Sequence, residues 1–206
     1  TKRCAQLERK QSLSRREINP EMEAFIDEKL KGFGAAQDAI KKKDARLVMQ
    51  YAALSCVGIK EVGGANKGKY VRLITDTVDE PGAIPWCMAG IQTWIAYAEK
   101  KTGIISPVVA SEHCMTVWRD TDRDQRVRFF PLAGAIIIWR HGTSDSGHTG
   151  LFLEGDNKSF YAVECNTGGG LDSRDEVVRE GDGCYRTKRA MGNIGNMKLM
   201  GFLKPF

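Results

Sequence analysis

The 206-residue sequence lacks the features that mark several common protein classes. Its six cysteines form no C-x-x-C pair, and the adjacent His113 and Cys114 are poorly placed to hold one ion, so we expect no metal. The apolar runs, such as Ile136 to Trp139, are far below the roughly 20 residues of a membrane span. The first ten residues, "TKRCAQLERK", are charged where a secretory signal peptide needs an apolar stretch. We therefore expect no membrane span and no signal peptide in this chain.

The composition is that of an ordinary globular protein, with 42% hydrophobic and 28% charged residues. The net charge of +5 is unevenly placed, because residues 1–46 contain 12 Lys or Arg and 8 Asp or Glu. Mixed charge of this kind is typical of the solvated face of a helix, and it also allows contact with a polyanion.

Two amphipathic helices are predicted near the N-terminus. Asn19 and Pro20 resemble a helix cap and first helical residue, and the acidic and apolar residues that follow fit a helix ending near Gly32. A second helix is predicted to begin near Asp44. We place a domain boundary close to Lys43, with 1–43 as a helical, basic extension or linker and 44–206 as the main domain. The extension should then be removable without loss of the fold of the main domain.

The pattern changes from helix to strand in the second half of the chain. "GAIIIWR", "HTGLFLE" and "FYAVE" are rich in β-branched or alternating apolar residues, and "GDNKS" supplies turn residues between the last two. "MKLMGFLKPF" is predicted to close the sheet. The sequence therefore predicts an α+β fold, with N-terminal helices packed on an antiparallel β-sheet.

Cys87 is the cysteine best placed for chemistry. It follows Pro85 and Trp86 in "GAIPWCMAGIQTWIAYAEK", at the predicted first turn of a helix. Unpaired N–H groups and the positive end of the helix dipole lower the pKa of a thiol at such a position. Cys56, Cys114 and Cys184 are expected to be inert and buried, and Cys165 is expected to point into the core.

A reactive thiol needs an imidazole, and the chain has three histidines. We favour His148 as the general base, because it lies at the mouth of a predicted strand after the flexible Gly147. His141 and His113 remain alternatives. The orienting third group is predicted to be Glu164 or Asn166, which are two residues apart and so share a strand face.

Taken in order, Pro-Trp-Cys at a helix start, "GAIIIW", "GHTGLF" and "VECNTGGG" resemble the CHAP family of cysteine, histidine-dependent amidohydrolases and peptidases. The resemblance covers roughly residues 45–206 and implies a papain-like fold. It implies Cys87 as nucleophile, His148 as general base, and Glu164 or Asn166 as the third member. Tyr70 and Asn66 are candidates to assist the Cys87 backbone N–H in an oxyanion hole.

The resemblance also implies a function. Its members cleave peptidoglycan, so we expect a cysteine-dependent hydrolase acting on an amide bond, either the N-acetylmuramoyl-L-alanine amide or a bond within the stem or cross-bridge. A cysteine protease or deamidase acting on protein or small amides is the alternative. The expected protein is a monomer without a cofactor and without nucleic acid. It would act at the bacterial cell wall, in the periplasm or outside the cell, as a phage lysin or exported effector, its N-terminal segment touching anionic wall polymer.

Two positions depart from the family pattern. Gly90 stands where relatives usually carry a bulky aromatic residue, and Ala135 replaces an aspartate that commonly precedes the central strand. We interpret both as packing changes. The acidic residues that bind calcium in some relatives are missing around Cys87.

Overall fold

The computed structural model describes residues 16–79, 82–127, 129–168 and 181–206. Within these ranges the chain has six α-helices, two short 3₁₀ turns and one five-stranded antiparallel sheet. The expected α+β class is confirmed. The helices are α1 Pro20–Leu30, α2 Gly34–Lys41, α3 Ala45–Ser55, α4 Lys69–Thr75, α5 Cys87–Thr102 and α6 Cys114–Asp120.

Both predicted N-terminal helices form, and side-chain caps begin them. The Asn19 side chain accepts a hydrogen bond from the Glu21 N–H at 2.9 Å. The Asp44 side chain accepts one from the Leu47 N–H at 3.0 Å. Each cap satisfies an N–H group that a helix start would otherwise leave unpaired. Helix α2, between them, was not predicted.

Helix α5 is the central helix of the molecule. Almost all of its residues up to Ala98 are buried, because it packs against α3 on one side and against strands of the sheet on the other. It begins at Cys87, as predicted, and ends where Gly103 adopts the left-handed conformation, with φ of 75°.

The strands are β1 Ile136–His141, β2 Gly147–Gly155, β3 Ser159–Thr167, β4 Gly183–Ala190 and β5 Met197–Leu203. Their order across the sheet is β4, β3, β2, β1, β5, with antiparallel neighbours throughout. The predicted turn joins β2 to β3, where the Asp156 side chain accepts hydrogen bonds from the backbone N–H groups of Lys158 and Ser159. The final predicted strand is β5.

The prediction missed strand β4. Its sequence, "GCYRTKRA", contains five basic or hydroxyl-bearing side chains and resembles a solvated loop. In the sheet it is an edge strand, and Thr187 and Arg189 alternate with exposed neighbours and are buried. Burial of an arginine requires a charged partner, which lies on the adjacent strand and not in the local sequence.

The sheet has an apolar core on each face. One core packs Ile136, Ile138, Leu151 and Val163 against the helices, and Cys165 joins it, as expected. The other is formed around Trp139, whose ring lies on the opposite face with several phenylalanines. Because alternate residues of a strand point to opposite faces, β1 contributes to both.

The described residues before Lys43 belong to the same core as the rest of the helices. Ile18, Met22 and Ile26 are buried in it. Tyr97 of α5 donates a hydrogen bond to Asp27 of α1 at 2.8 Å. The described residues before the predicted boundary therefore share a core and a hydrogen bond with the residues that follow it. Residues 1–15 of that predicted segment lie outside the described residues.

None of the helices in the described ranges has the length and apolar character needed to cross a membrane.

Candidate active site

The local sequence fixes the position of Cys87 at the first turn of α5. Trp86, the residue before the helix, is fully buried, and its indole N–H donates to the Glu61 carboxylate at 2.9 Å. Cys87 itself is 6% exposed. A buried indole with a satisfied N–H anchors the chain, so the thiol is held at the helix start.

A cleft of about 480 Å³ lies in front of this thiol. Cys87 and Pro85 line it from the helix side, and Gly147 and His148 line it from strand β2. The cleft therefore brings the predicted nucleophile and the favoured base to one solvent-accessible space. Its remaining lining residues are Ile84, Glu112, His113, Cys114, Asp145 and Ser146.

His148 is held by two neighbours. Its ring nitrogen Nε2 lies 2.9 Å from Oε2 of Glu164, which is fully buried. The indole of Trp139, its partner across β1 and β2, stacks on the imidazole with centroids 5.9 Å apart. Because Nε2 is engaged by the carboxylate, the other ring nitrogen, Nδ1, is left for the thiol.

The Glu164 carboxylate is held in turn by strand β4. Thr187 donates to Oε1 at 2.5 Å, and the Arg189 guanidinium donates to both carboxylate oxygens at 2.9 Å. Arg189 also donates to the Thr167 hydroxyl at 3.0 Å. Fork-like donation by arginine fixes the plane of a carboxylate, so Glu164 presents a defined oxygen to His148. Sequence reasoning missed Thr187 and Arg189 because strand β4 itself was not recognised.

The surroundings of Cys87 favour its thiolate form. A hydrogen bond with the Cys114 thiol is the largest effect, and interactions with His148 and the Met88 backbone N–H add to it. Together they outweigh burial, and they hold the pKa of Cys87 well below its usual range. The thiolate is the nucleophilic form of cysteine, so a lowered pKa makes Cys87 more reactive at neutral pH.

The other two groups have complementary shifts. Burial acts to lower the pKa of His148, but interactions with Cys87 and Glu164 raise it to about 9. Burial acts to raise the pKa of Glu164, but the hydrogen bonds from His148 and Arg189 lower it to about 2. Thiolate, imidazolium and carboxylate therefore coexist at neutral pH.

Asn166 does not join this group, although it was predicted to share a face with Glu164. The register of β3 shifts between Glu164 and Thr167, and Asn166 has a left-handed φ of 52°. A β-bulge of this kind breaks the alternation of side chains. The Asn166 amide instead lies within hydrogen-bonding distance of Glu61, Asn66 and the Gly181 carbonyl.

The alternative histidines have other environments. His113 lines the cleft, but its side chain is 69% exposed and its Nε2 lies 2.9 Å from the adjacent Glu112 carboxylate. His141 ends strand β1 and does not line the cleft. Tyr70 and Asn66, suggested for the oxyanion hole, are not among the lining residues either.

Cys114 is a further residue at the site whose contact with Cys87 the sequence did not suggest. Its sulfur lies 3.9 Å from the sulfur of Cys87. The hydrogen bond with Cys87 and burial raise the pKa of Cys114 well above the usual range. The two residues are 27 positions apart, and helix α5 and the irregular segment 103–113 lie between them, so no local pattern indicated the contact.

Gly90 has a packing explanation. A Cβ atom there would lie 2.5 Å from the Cys165 sulfur, so glycine allows α5 and β3 to approach closely.

Within the described ranges, no three His, Cys, Asp or Glu side chains are grouped so that they could hold a metal ion. Comparison with known proteins found no matching family model, no matching curated protein and no matching solved structure.

Proposed function

We propose that the protein is a cysteine-dependent hydrolase of an amide bond in peptidoglycan. The observation that carries the proposal is the arrangement of Cys87 at a helix start, His148 in the same cleft, and Glu164 buried behind the imidazole. The peptidoglycan substrate rests on the ordered sequence resemblance to the CHAP family, which also supports a papain-like arrangement of the helices and sheet.

The reaction would proceed in two steps. The Cys87 thiolate attacks the amide carbonyl carbon, the C–N bond breaks, and the His148 imidazolium gives its proton to the leaving amine. His148, now neutral, takes a proton from water, and the resulting hydroxide attacks the thioester. The C–S bond breaks and releases the Cys87 thiolate and a carboxylic acid, which restores the thiolate–imidazolium pair. Glu164 keeps the imidazole oriented and stabilises its charged form.

The oxyanion that forms at the carbonyl needs a hydrogen-bond donor. We assign this role to the Cys87 backbone N–H, which belongs to the first turn of α5 and has no partner within the helix. The bond cleaved is the N-acetylmuramoyl-L-alanine amide or one within the stem or cross-bridge peptide. We favour the former on resemblance, and we propose that the protein acts at the cell wall as a phage lysin or exported effector.

Mass spectrometry of fragments released from purified sacculi tests this function. A free L-alanine N-terminus on an intact stem peptide identifies an amidase, and new termini inside the stem identify an endopeptidase. Casein and small amides, assayed in parallel, test the alternative protease or deamidase. New reducing sugar ends with uncut peptides would contradict the proposal, since glycosidic cleavage uses paired carboxylates.

Variants connect the released fragments to the site. Cys87→Ala should release none, because no nucleophile remains. His148→Ala should lose activity by about 10²- to 10⁴-fold, the usual contribution of a positioned acid–base group. His141→Ala is the matched control and should keep most activity, since His141 does not line the cleft. Equal activity of the two histidine variants would remove His148 from the mechanism.

A further inference from the structure

Two thiols face each other in the cleft. Their sulfur atoms lie 3.9 Å apart, and both residues line the same solvent-accessible space. Cys87 begins α5 and Cys114 begins α6, so each is fixed by a separate helix. The proposed hydrolysis uses only Cys87, so the second thiol needs another explanation.

The neighbouring backbone keeps Cys114 close to its partner. A Cβ atom at Gly147 would lie 3.2 Å from Cys114 Cβ, so the strand that carries His148 packs directly against this cysteine. A disulfide has an S–S length of about 2.05 Å, so the sulfurs, now 3.9 Å apart, need to approach by about 2 Å. Formation of the bond therefore requires rotation of the two side chains and small shifts at the two helix starts.

We propose that Cys87 and Cys114 are a modification site, at which a hydroperoxide converts the two thiols into a reversible disulfide. The Cys87 thiolate attacks one peroxide oxygen, the O–O bond breaks, and a sulfenic acid and hydroxide or alkoxide form. The Cys114 sulfur then attacks the sulfenic sulfur, and the thiol proton leaves with the hydroxyl group as water. A dithiol restores both thiols and is itself oxidised.

The electrostatics of the pair suit this order of events. Cys87 has the lowered pKa and is the thiolate that reacts with peroxide. The pKa of Cys114 is raised first by its hydrogen bond with Cys87 and then by burial. Once Cys87 becomes a neutral sulfenic acid, the negative neighbour is gone, so Cys114 ionises more readily and attacks. The disulfide therefore forms before further oxygen atoms reach Cys87.

The consequence for activity rests on the proposed function. The disulfide removes the nucleophile while it exists, and it protects Cys87 from irreversible sulfinic and sulfonic acids. Formation of the disulfide itself needs no substrate. If the cross-link forms and the reduced protein does not cut sacculi, the proposed function fails and the modification site stands.

Peptide mapping of the full chain tests the proposal. The reduced protein is treated with hydrogen peroxide, remaining thiols are alkylated, and the protein is digested with trypsin without reduction. Residues 73–100 contain Cys87 and residues 102–119 contain Cys114, each as the only cysteine of its tryptic peptide. We expect these two peptides to be cross-linked, and we expect dithiothreitol to restore most of the initial activity on sacculi.

Two variants make the result specific. In Cys114→Ser, we expect no cross-link, accumulation of sulfinic and sulfonic acid at Cys87, and no recovery with dithiothreitol relative to the untreated variant. Cys4→Ser should cross-link residues 73–100 to 102–119 as the unaltered chain does. Equal over-oxidation of Cys87 with and without Cys114 would overturn the proposal. So would a cross-link only between residues 159–174 and 180–186, which contain Cys165 and Cys184.

Discussion

The Glu164 carboxylate accepts hydrogen bonds from His148, Thr187 and Arg189 while fully buried. Replacing one member of a buried ion pair typically costs about 3 to 5 kcal/mol. We expect Glu164→Gln to lower the free energy of unfolding by about 3 kcal/mol, because an amide group replaces one charged acceptor oxygen with a donor. Denaturant unfolding measures this.

The control for this substitution is Glu154→Gln. Glu154 accepts from Arg186 at 2.7 Å, but its side chain is 66% exposed. Exposed ion pairs contribute at most about 1 kcal/mol, so this variant should unfold nearly as the unaltered chain does.

The stabilising effect of Glu164 should depend on pH. Because the pKa of Glu164 is about 2 against an ordinary 4.5, its contribution to the free energy of unfolding is present above pH 4.5 and is lost as the pH falls towards 2. The difference in stability between the chain and Glu164→Gln should shrink over that range.

The activity should have an alkaline limit set by His148. Its pKa of about 9, against an ordinary 6.5, keeps the imidazole protonated at neutral pH. The thiolate–imidazolium pair is therefore present at neutral pH and is lost as the pH rises through 9. We expect kcat/KM for sacculi fragments to fall through this pH. Glu164→Gln should move the limit to lower pH, since Glu164 is one cause of the raised pKa. An unmoved limit would mean that another group sets it, and Glu154→Gln should leave the limit unchanged.

At the scale of secondary-structure elements, the contact between α5 and β3 depends on Gly90. Alanine normally stabilises a helix interior by about 1 kcal/mol relative to glycine. A Cβ at Gly90 would lie 2.5 Å from the Cys165 sulfur, and such overpacking costs about 1 to 3 kcal/mol. We expect Gly90→Ala to lower the free energy of unfolding, as measured with denaturant.

Removing the obstructing sulfur should reduce this effect. In a Cys165→Ala background, Gly90→Ala should lower the free energy of unfolding less than it does in the unaltered chain, because only the Cβ of residue 165, at 3.0 Å, remains close. If Gly90→Ala is as stable as the unaltered chain, the helix and strand can separate freely, and the close approach is not required.

The elements that sequence could predict are those with a strong local pattern. The caps Asn19 and Asp44, the start of α5 at Cys87 and the apolar strand β1 all follow from residues adjacent in the chain. Strand β4 and the orientation of the Asn166 side chain away from Glu164 do not follow from adjacent residues. The burial of Arg189 depends on Glu164 of another strand, and the bulge at Asn166 depends on strand pairing. Likewise, the contact of Cys87 with Cys114 depends on how two helices pack.

At the scale of the whole molecule, helix α1 is part of the main core. Met22 is fully buried there, and Lys101 of α5 donates to Glu23 and Asp27 at 2.8 and 2.7 Å. We expect Met22→Ala to lower the free energy of unfolding by about 2 to 5 kcal/mol, the usual cost of truncating a buried methionine. Thermal or denaturant unfolding measures it.

A matched control lies on the same helix. Glu28 pairs with Lys31 at 3.7 Å, and its side chain is 76% exposed. Glu28→Ala should change stability by less than about 0.5 kcal/mol, as is usual for exposed positions. Similar small effects of both substitutions would support the boundary at Lys43, with the preceding helices removable.

Strand order has a consequence for synthesis of the protein. Strand β1 is hydrogen-bonded on one side to β2 and on the other to β5, which is the most C-terminal of the described strands. During synthesis on the ribosome, β1 is therefore complete before β5 exists. Until β5 is synthesised, the backbone N–H and C=O groups on that edge of β1 have no partner strand. Such an edge invites pairing with other chains. The nascent polypeptide should depend on chaperones most during the interval between emergence of residue 141 and emergence of residue 203.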